Sequence, residues 1–179
     1  KLMKCKKQYA FGRLMEILSP SADRVEPRCK KARVCGGCQI QHLSYERQLA
    51  FKENKVRNLL SRVGHVEDYV MHPIIGMENP YYYRNKAQFP VGTDKEGHVI
   101  AGFYAARTHS IIPVKDCMLG ASINQPILAI VCDWMEKYHV RPYNEEDGSG
   151  LVRHVLIRYG FTTKEIMVCL IVNGNEIPH

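Results

Sequence analysis

A chain of 179 residues, 45% of them hydrophobic, can bury one full domain, or one domain and part of another. It has no secretory h-region and no apolar run of about twenty residues, which excludes an export signal and a membrane-spanning helix and points to a soluble, cytoplasmic protein with no membrane partner. A net charge of +7 with ten tyrosines suits a polyanion whose bases can stack, RNA first among them, although charge alone reports only solubility and non-specific binding.

The chain begins at Lys1 rather than Met and stops after Pro178-His179 with no terminal element, so it is expected to be a piece of a longer protein. Residues 1–28 open with Lys1, Lys4, Lys6 and Lys7. Phe11, Arg13, Met15 and Ile17 then alternate with Gly12, Leu14, Glu16 and Leu18 up to Ser19-Pro20, a strand pattern. One or two strands do not fold alone, so the segment is expected to be the tail of a small β-domain.

Cys29, Cys35 and Cys38 follow at a C-x5-C-x2-C spacing, with Gly36-Gly37 letting the backbone fold tightly between the near pair. Seven cysteines, an odd number, without an export signal argue for reduced thiols rather than disulfides. Three soft donors so spaced predict a metal or cluster site that needs a fourth ligand. Cys132 and Cys169 sit in apolar helix and strand patterns, where a small buried thiol is expected. Cys117 lies in a turn, Lys115-Asp-Cys-Met-Leu-Gly120, and is the fourth ligand chosen; Cys5 is its main competitor, and His42 a further candidate. Zinc and an iron–sulfur cluster both accept four thiolates, and the spacing does not choose between them, although zinc sites more usually come as two C-x2-C pairs.

Ser44 predicts the cap of a helix over 45–63, closed by Gly64, with Leu49, Val56, Leu60 and Val63 as its core face and Lys52, Lys55, Arg57 and Arg62 elsewhere. After a loop bracketed by Pro73 and Pro80, strands are predicted over 84–91 and 98–105 around a turn at 92–97. A third follows over 109–114, where Pro113 suits an edge. A second helix fits 125–139, with Asn124 as its cap and Ile127, Leu128, Val131, Trp134 and Met135 on its apolar side. Strands over 151–159 and 165–172 make another hairpin. The sum is an α+β fold: an antiparallel sheet, two main helices and a cysteine loop.

Arg84 and Lys86 beside Tyr81, Tyr82 and Tyr83 pair phosphate-binding charge with stacking rings. Arg153, His154 and Arg158 share a late strand, where an odd separation predicts opposite faces for the two arginines. Arg84, Lys86 and Arg153 lead the candidate RNA contacts, followed by His109, Arg107 and Arg158; sheet-surface charge is the plainer alternative.

Taken together, Cys29-x5-Cys35-Gly-Gly-Cys38-x-x-Gln41-His42-x-x-Tyr45-x-x-Gln48-Leu49-x-x-Lys52 resembles the signature of the RNA (uracil-5-)-methyltransferases, 23S ribosomal RNA type. Tyr83-Arg-Asn-Lys86, Gly102-Phe-Tyr104 with His109, then Cys117, then Arg153-His154 with Arg158 match in that family's order. Gly12-Arg13 and Ser21-x-Asp23-Arg24-Val-Glu-Pro27 resemble the end of its TRAM domain. The resemblance implies a TRAM-like end over 1–28 and, over 29–179, a central RNA-recognition domain whose Cys29, Cys35, Cys38 and Cys117 hold a 4Fe–4S cluster. It further implies an S-adenosylmethionine-dependent enzyme, with ribosomal RNA as partner ahead of transfer RNA. In such enzymes a cysteine adds to carbon 6 of a splayed-out uridine, carbon 5 takes the methyl group and a base removes the carbon-5 proton. Neither Gly36-Gly37 nor Gly148-Ser-Gly150 has the context of a methionine-cofactor loop, and no cysteine stands in a Cys-Asn-Pro or Cys-Asp-Pro setting. The chain is therefore expected to be inactive alone, with the cofactor bound by a Rossmann-like domain outside it. Two other readings remain: a zinc- or cluster-stabilised nucleic-acid-binding module without activity, and an electron-transfer iron–sulfur protein, although ferredoxins show tighter cysteine runs.

Overall fold

In the computed structural model, which describes residues 1–178, the chain forms β1 (Leu2–Cys5), β2 (Ala10–Gly12), α1 (Tyr45–Asn58), β3 (Lys86–Thr93), β4 (Val99–Tyr104) and β5 (Ile111–Pro113). Then come α2 (Asn124–Lys137), β6 (Val152–Tyr159) and β7 (Ile166–Val172). His179, the last residue of the expected central domain, lies outside the described residues. The class is α+β, as expected. β1 and β2 pair with each other, and the other five strands form one antiparallel sheet in the order β5-β4-β3-β6-β7.

Both expected hairpins form, because each alternating apolar run is followed by turn residues and its partner. β3 joins them. Its first half pairs with β6, from Lys86 opposite Arg158 to Pro90 opposite His154, and its second half pairs with β4, from Val91 opposite Ala101 to Thr93 opposite Val99. Pro90, which has no N–H to give, sits where one ladder hands over to the other.

Leu128, Val131 and Met135 of α2 pack on the face carrying Ala87, Phe89 and Val91 of β3, Ala101 of β4, and Val152, Val155 and Ile157 of β6. Phe89 and Met135 are fully buried, each contributing roughly 1.5–3 kcal/mol of apolar transfer energy. Period-2 alternation then turns Lys86, Gln88, His154, Leu156 and Arg158 to the opposite face. The Glu136 carboxylate accepts from the Val99 N–H and ties the end of α2 to β4.

Several expectations fail locally. Ser44 does cap α1, its hydroxyl accepting from the Arg47 N–H at 3.3 Å, but the helix widens into a π turn over Leu59–Val63. Gly64 is not left-handed there; the positive φ falls on His65, at 51°. The apolar stripe of α1 is not a core face: no residue of α1 is buried, and Val56 and Val63 are 48% and 71% exposed. Asn124 does not cap α2 but is buried in its first turn, its amide against Gly120. Cys169, expected to be a buried thiol, is exposed on the edge strand β7, which has a neighbour on one side only. The strand expected through Leu18 stops at Gly12, since the β1 ladder reaches only to Arg13, whose N–H bonds the Lys1 carbonyl.

Candidate cysteine centre and its basic surround

Backbone pairing closes the loop that carries the first three cysteines. At its base Val25 donates to the His42 carbonyl and Ser44 to that of Asp23. Its far limb extends the sheet: Cys35 bridges Ala105, Gly36 donates to the Tyr104 carbonyl at 3.0 Å, and Ala106 donates to that of Val34. Gly36 eases this contact, because a Cβ would sit 3.0 Å from the Tyr104 oxygen, a tight approach to backbone. The turn carrying Cys117 follows β5, the edge strand that pairs with β4.

Cys29, Cys35, Cys38 and Cys117 consequently line one cavity of about 510 Å³. Gln41 bridges its parts: its carbonyl accepts from the Cys29 N–H at 3.3 Å and its amide donates to the Cys38 sulfur at 3.2 Å. Gly37 donates to the Cys35 sulfur at 3.4 Å. Burial pushes the Cys38 thiol up, and the charges of Cys117, Cys35 and Cys29 add to this, while the Gln41 amide pulls the other way. Arg28, Lys30, Lys31, Arg84 and Lys115 also line the cavity, against the one carboxylate of Asp116. Such a surround offsets the charge of deprotonated thiols.

Cys5, Cys132 and Cys169 do not line this cavity. Cys5 is exposed on β1, and the Cys132 thiol, half-buried in α2, is pushed up by burial and by Asp133 and Glu136. His42 does not line this cavity but borders an adjoining one, with Arg24 and Arg33, that shares Cys38 and Gln41 with it. Among the described residues no group of three or more His, Cys, Asp or Glu side chains converges as one metal ion requires. A single zinc ion draws its thiolates to within about 2.3 Å of one point. A cubane, spread over four irons, lets four thiolates stand further apart around one space. Four thiols are soft donors of the kind that either a zinc ion or an iron–sulfur cluster takes.

The basic candidates fall into three places. Arg84, bridged to Gly120, lines the cysteine cavity. Lys86 and Arg158 stand directly opposite each other across β3 and β6, an arrangement of like charges that costs stability unless an anion offsets it. Arg153, His109 and His154 line a third cavity, of about 660 Å³. There the Arg153 guanidinium lies 4.4 Å over the Tyr143 ring, His109 pairs with Glu145, and the Tyr104 and His109 rings are 5.2 Å apart. Burial and Arg153 lower the His154 pKa against the pull of Glu145. This cavity is also lined by Asp94, Glu96, Glu145 and Glu146, so it repels phosphate more than the sheet end does. Arg107 is exposed on the β4–β5 turn with φ 64°.

Opposite faces for Arg153 and Arg158 are not observed. A β-bulge between Val152 and His154 inserts Arg153 as an extra residue, and Arg153 lines the same cavity as His154, on the face of Arg158. Sequence reasoning also missed Gln41 as the bridge between two cysteines. Its place three residues after Cys38 was visible, but its partners were not.

Fold and site together define an α+β domain that gathers four thiols under a basic, tyrosine-bearing surface. Over 178 residues the chain is 44% identical to an uncharacterized RNA methyltransferase of Clostridium tetani, covering 99% of this chain and 38% of that protein. An uncharacterized RNA methyltransferase of Halalkalibacterium halodurans is 45% identical over 179 residues, 100% of this chain and 39% of its own length. The resemblance to RNA methyltransferases thus holds along the whole sequence, and the chain spans about two fifths of the length of these curated relatives. No protein-family model matches it. The crystal structure of Pyrococcus abyssi tRNA (uracil-54, C5)-methyltransferase in complex with S-adenosyl-L-homocysteine shares the fold, with a TM-score of 0.72 at 22% identity over 99% of this chain and 39% of that one. Among the described residues no helix is long and apolar enough to cross a membrane.

Proposed function

We propose that this chain is the cluster-bearing, RNA-presenting part of an S-adenosylmethionine-dependent enzyme that methylates carbon 5 of a uridine, in 23S ribosomal RNA ahead of transfer RNA. The observation that carries the reading is the cavity shared by Cys29, Cys35, Cys38 and Cys117, three from one loop and one from a turn far along the chain, inside a ring of cations. A 4Fe–4S cluster held by these four thiolates would brace the loop against the turn. The naming of the relatives supports an RNA substrate, and the fold neighbour's name supports carbon 5 of uridine as the target. S-adenosylmethionine and the nucleophilic cysteine belong to the part of the protein outside this chain. RNA backbone would run over Arg84, Lys86 and Arg158, with Arg153, His109 and Arg107 further out.

The test is anaerobic purification of the full-length protein, followed by iron, sulfide and zinc analysis. The expected result is about four irons and four sulfides per chain. Cys38→Ser and Cys117→Ser lose the iron and melt earlier, because metal binding and folding are coupled; Cys5→Ser and Cys169→Ser keep it. A Cys38→Ser protein with full iron content and an unchanged melting temperature shows that the ligand set is wrong. One zinc per chain and no sulfide favours the zinc-stabilised module. Incubation with S-adenosylmethionine and either 23S ribosomal or transfer RNA transcripts, read as 5-methyluridine by mass spectrometry, identifies the substrate.

A further inference from the structure

Resting on the RNA reading above, we propose that the cavity at the β6–β7 turn is a stacking site for unpaired bases of single-stranded RNA, with Phe161 and Lys164 as its central contacts. The cavity, of about 810 Å³, is bordered by four rings, those of Tyr82, Tyr83, Tyr159 and Phe161. Phe161 is 73% exposed, and Tyr82 and Tyr83 are 44% and 49% exposed. Such rings presented to water cost hydration free energy that a stacked base recovers.

Charge decides the occupant. The lining residues include two cations, Arg84 and Lys164, and no carboxylate, whereas the cavity of Arg153 and His109 has four carboxylates. The Lys164 ammonium lies over the Phe161 ring, 4.6 Å from its centre, and over that of Tyr159 at 5.8 Å, so a base would stack on the other face of Phe161 with its phosphate within reach of the ammonium. An apolar protein segment gains nothing from these two charges; a nucleotide strand uses rings and charges alike.

The backbone supports the same place. Tyr82 and Lys164 are both left-handed non-glycine residues, with φ of 54° and 63°, and both line this cavity. Side chains rarely take that conformation, and such strain collects where a surface is held for a ligand. Lys86 and Arg158, one residue along the paired strands, stand at the same end of the sheet but on its other face, so they belong to the RNA path proposed above and not to this cavity.

The experiment uses the full-length protein and a single-stranded oligoribonucleotide containing 2-aminopurine, with the same sequence as a duplex for comparison. Phe161→Ala is expected to weaken single-strand binding about tenfold and to relieve most of the fluorescence quenching, while Phe161→Tyr retains both. Lys164→Ala lowers the slope of log affinity against log salt by about one. Duplex affinity changes little in any of them. If Phe161→Ala binds the single strand with unchanged affinity while Lys86→Ala and Arg158→Ala bind it less well, the stacking site is overturned and the RNA reading stands. If Phe161→Ala lowers the melting temperature without changing RNA affinity, the face is an internal interface, and the proposal falls. If the unaltered protein binds neither strand nor duplex, the RNA reading itself fails.

Discussion

At Gly102 a Cβ would lie 1.9 Å from the Ile112 carbonyl oxygen and 3.0 Å from the Pro113 Cα, so β5 can approach β4 only because this residue has no side chain. The contact matters beyond the sheet, since the turn carrying Cys117 leaves the end of β5. Gly102→Ala is expected to cost about 3 kcal/mol, the upper end of ordinary overpacking, because the obstacle is backbone and cannot rotate away. The displaced turn should also lower the iron content of the anaerobically purified protein. Gly97→Ala is the comparison: its φ of 90° penalises a side chain, but nothing lies within 4 Å of the added carbon. It should cost about 1–2 kcal/mol and leave iron content unchanged. Thermal unfolding of the two full-length variants, with iron analysis on each, checks the difference.

Among the elements, β6 shows how a local irregularity redirects chemistry. Its bulge adds Arg153 to the His154 face, above the Tyr143 ring and among carboxylates, while Lys86 and Arg158 meet at the other end of the strand. Phosphate contacts should follow that distribution. Lys86→Ala and Arg158→Ala are each expected to lower the salt slope of RNA binding by about one, and Arg153→Ala by distinctly less, measured by titration at several salt concentrations. Equal slopes for all three would mean that the carboxylates around Arg153 do not keep the strand away. Parity counted along the sequence could not find this, because a bulge leaves no composition signal of its own. What was legible had local causes: both hairpins came from alternation plus turn residues, the α2 core face from its spacing, and the start of α1 from Ser44. The pairing of β3 with β6 depends on residues far apart in sequence. The exposed stripe of α1 and the exposed Cys169 follow from what packs on them, which no spacing encodes. That Cys29, Cys35, Cys38 and Cys117 share one cavity accords with picking them out by residue type and setting, and Gln41 was not picked out, because an amide bridging two cysteines looks like any glutamine.

On the scale of the whole molecule, the cysteine cavity and the aromatic cavity share a wall. Arg84 lines both. Tyr82 and Arg84 donate their amides to the carbonyls of Met118 and Leu119, each at 2.8 Å, directly after Cys117. Whatever holds Cys117 in place therefore also holds the segment that carries the stacking tyrosines. The link runs through backbone hydrogen bonds, which a shift of one strand of the wall breaks together. If the four thiols hold a cluster, Cys117→Ser should free the residues after it and loosen Tyr82 and Arg84, although neither touches the cluster. Hydrogen exchange on the full-length protein is expected to show faster exchange at the amides of Tyr82 and Arg84, with the β6–β7 ladder unchanged. Single-stranded RNA affinity should fall several-fold in the same variant, and Cys5→Ser, on the distant β1, should alter neither. Faster exchange without lost affinity would leave the wall as scaffold only. Raised affinity with unchanged exchange would place the coupling in charge rather than in backbone order, since removing the anionic centre leaves its ring of lysines and arginines uncompensated and free to hold phosphate.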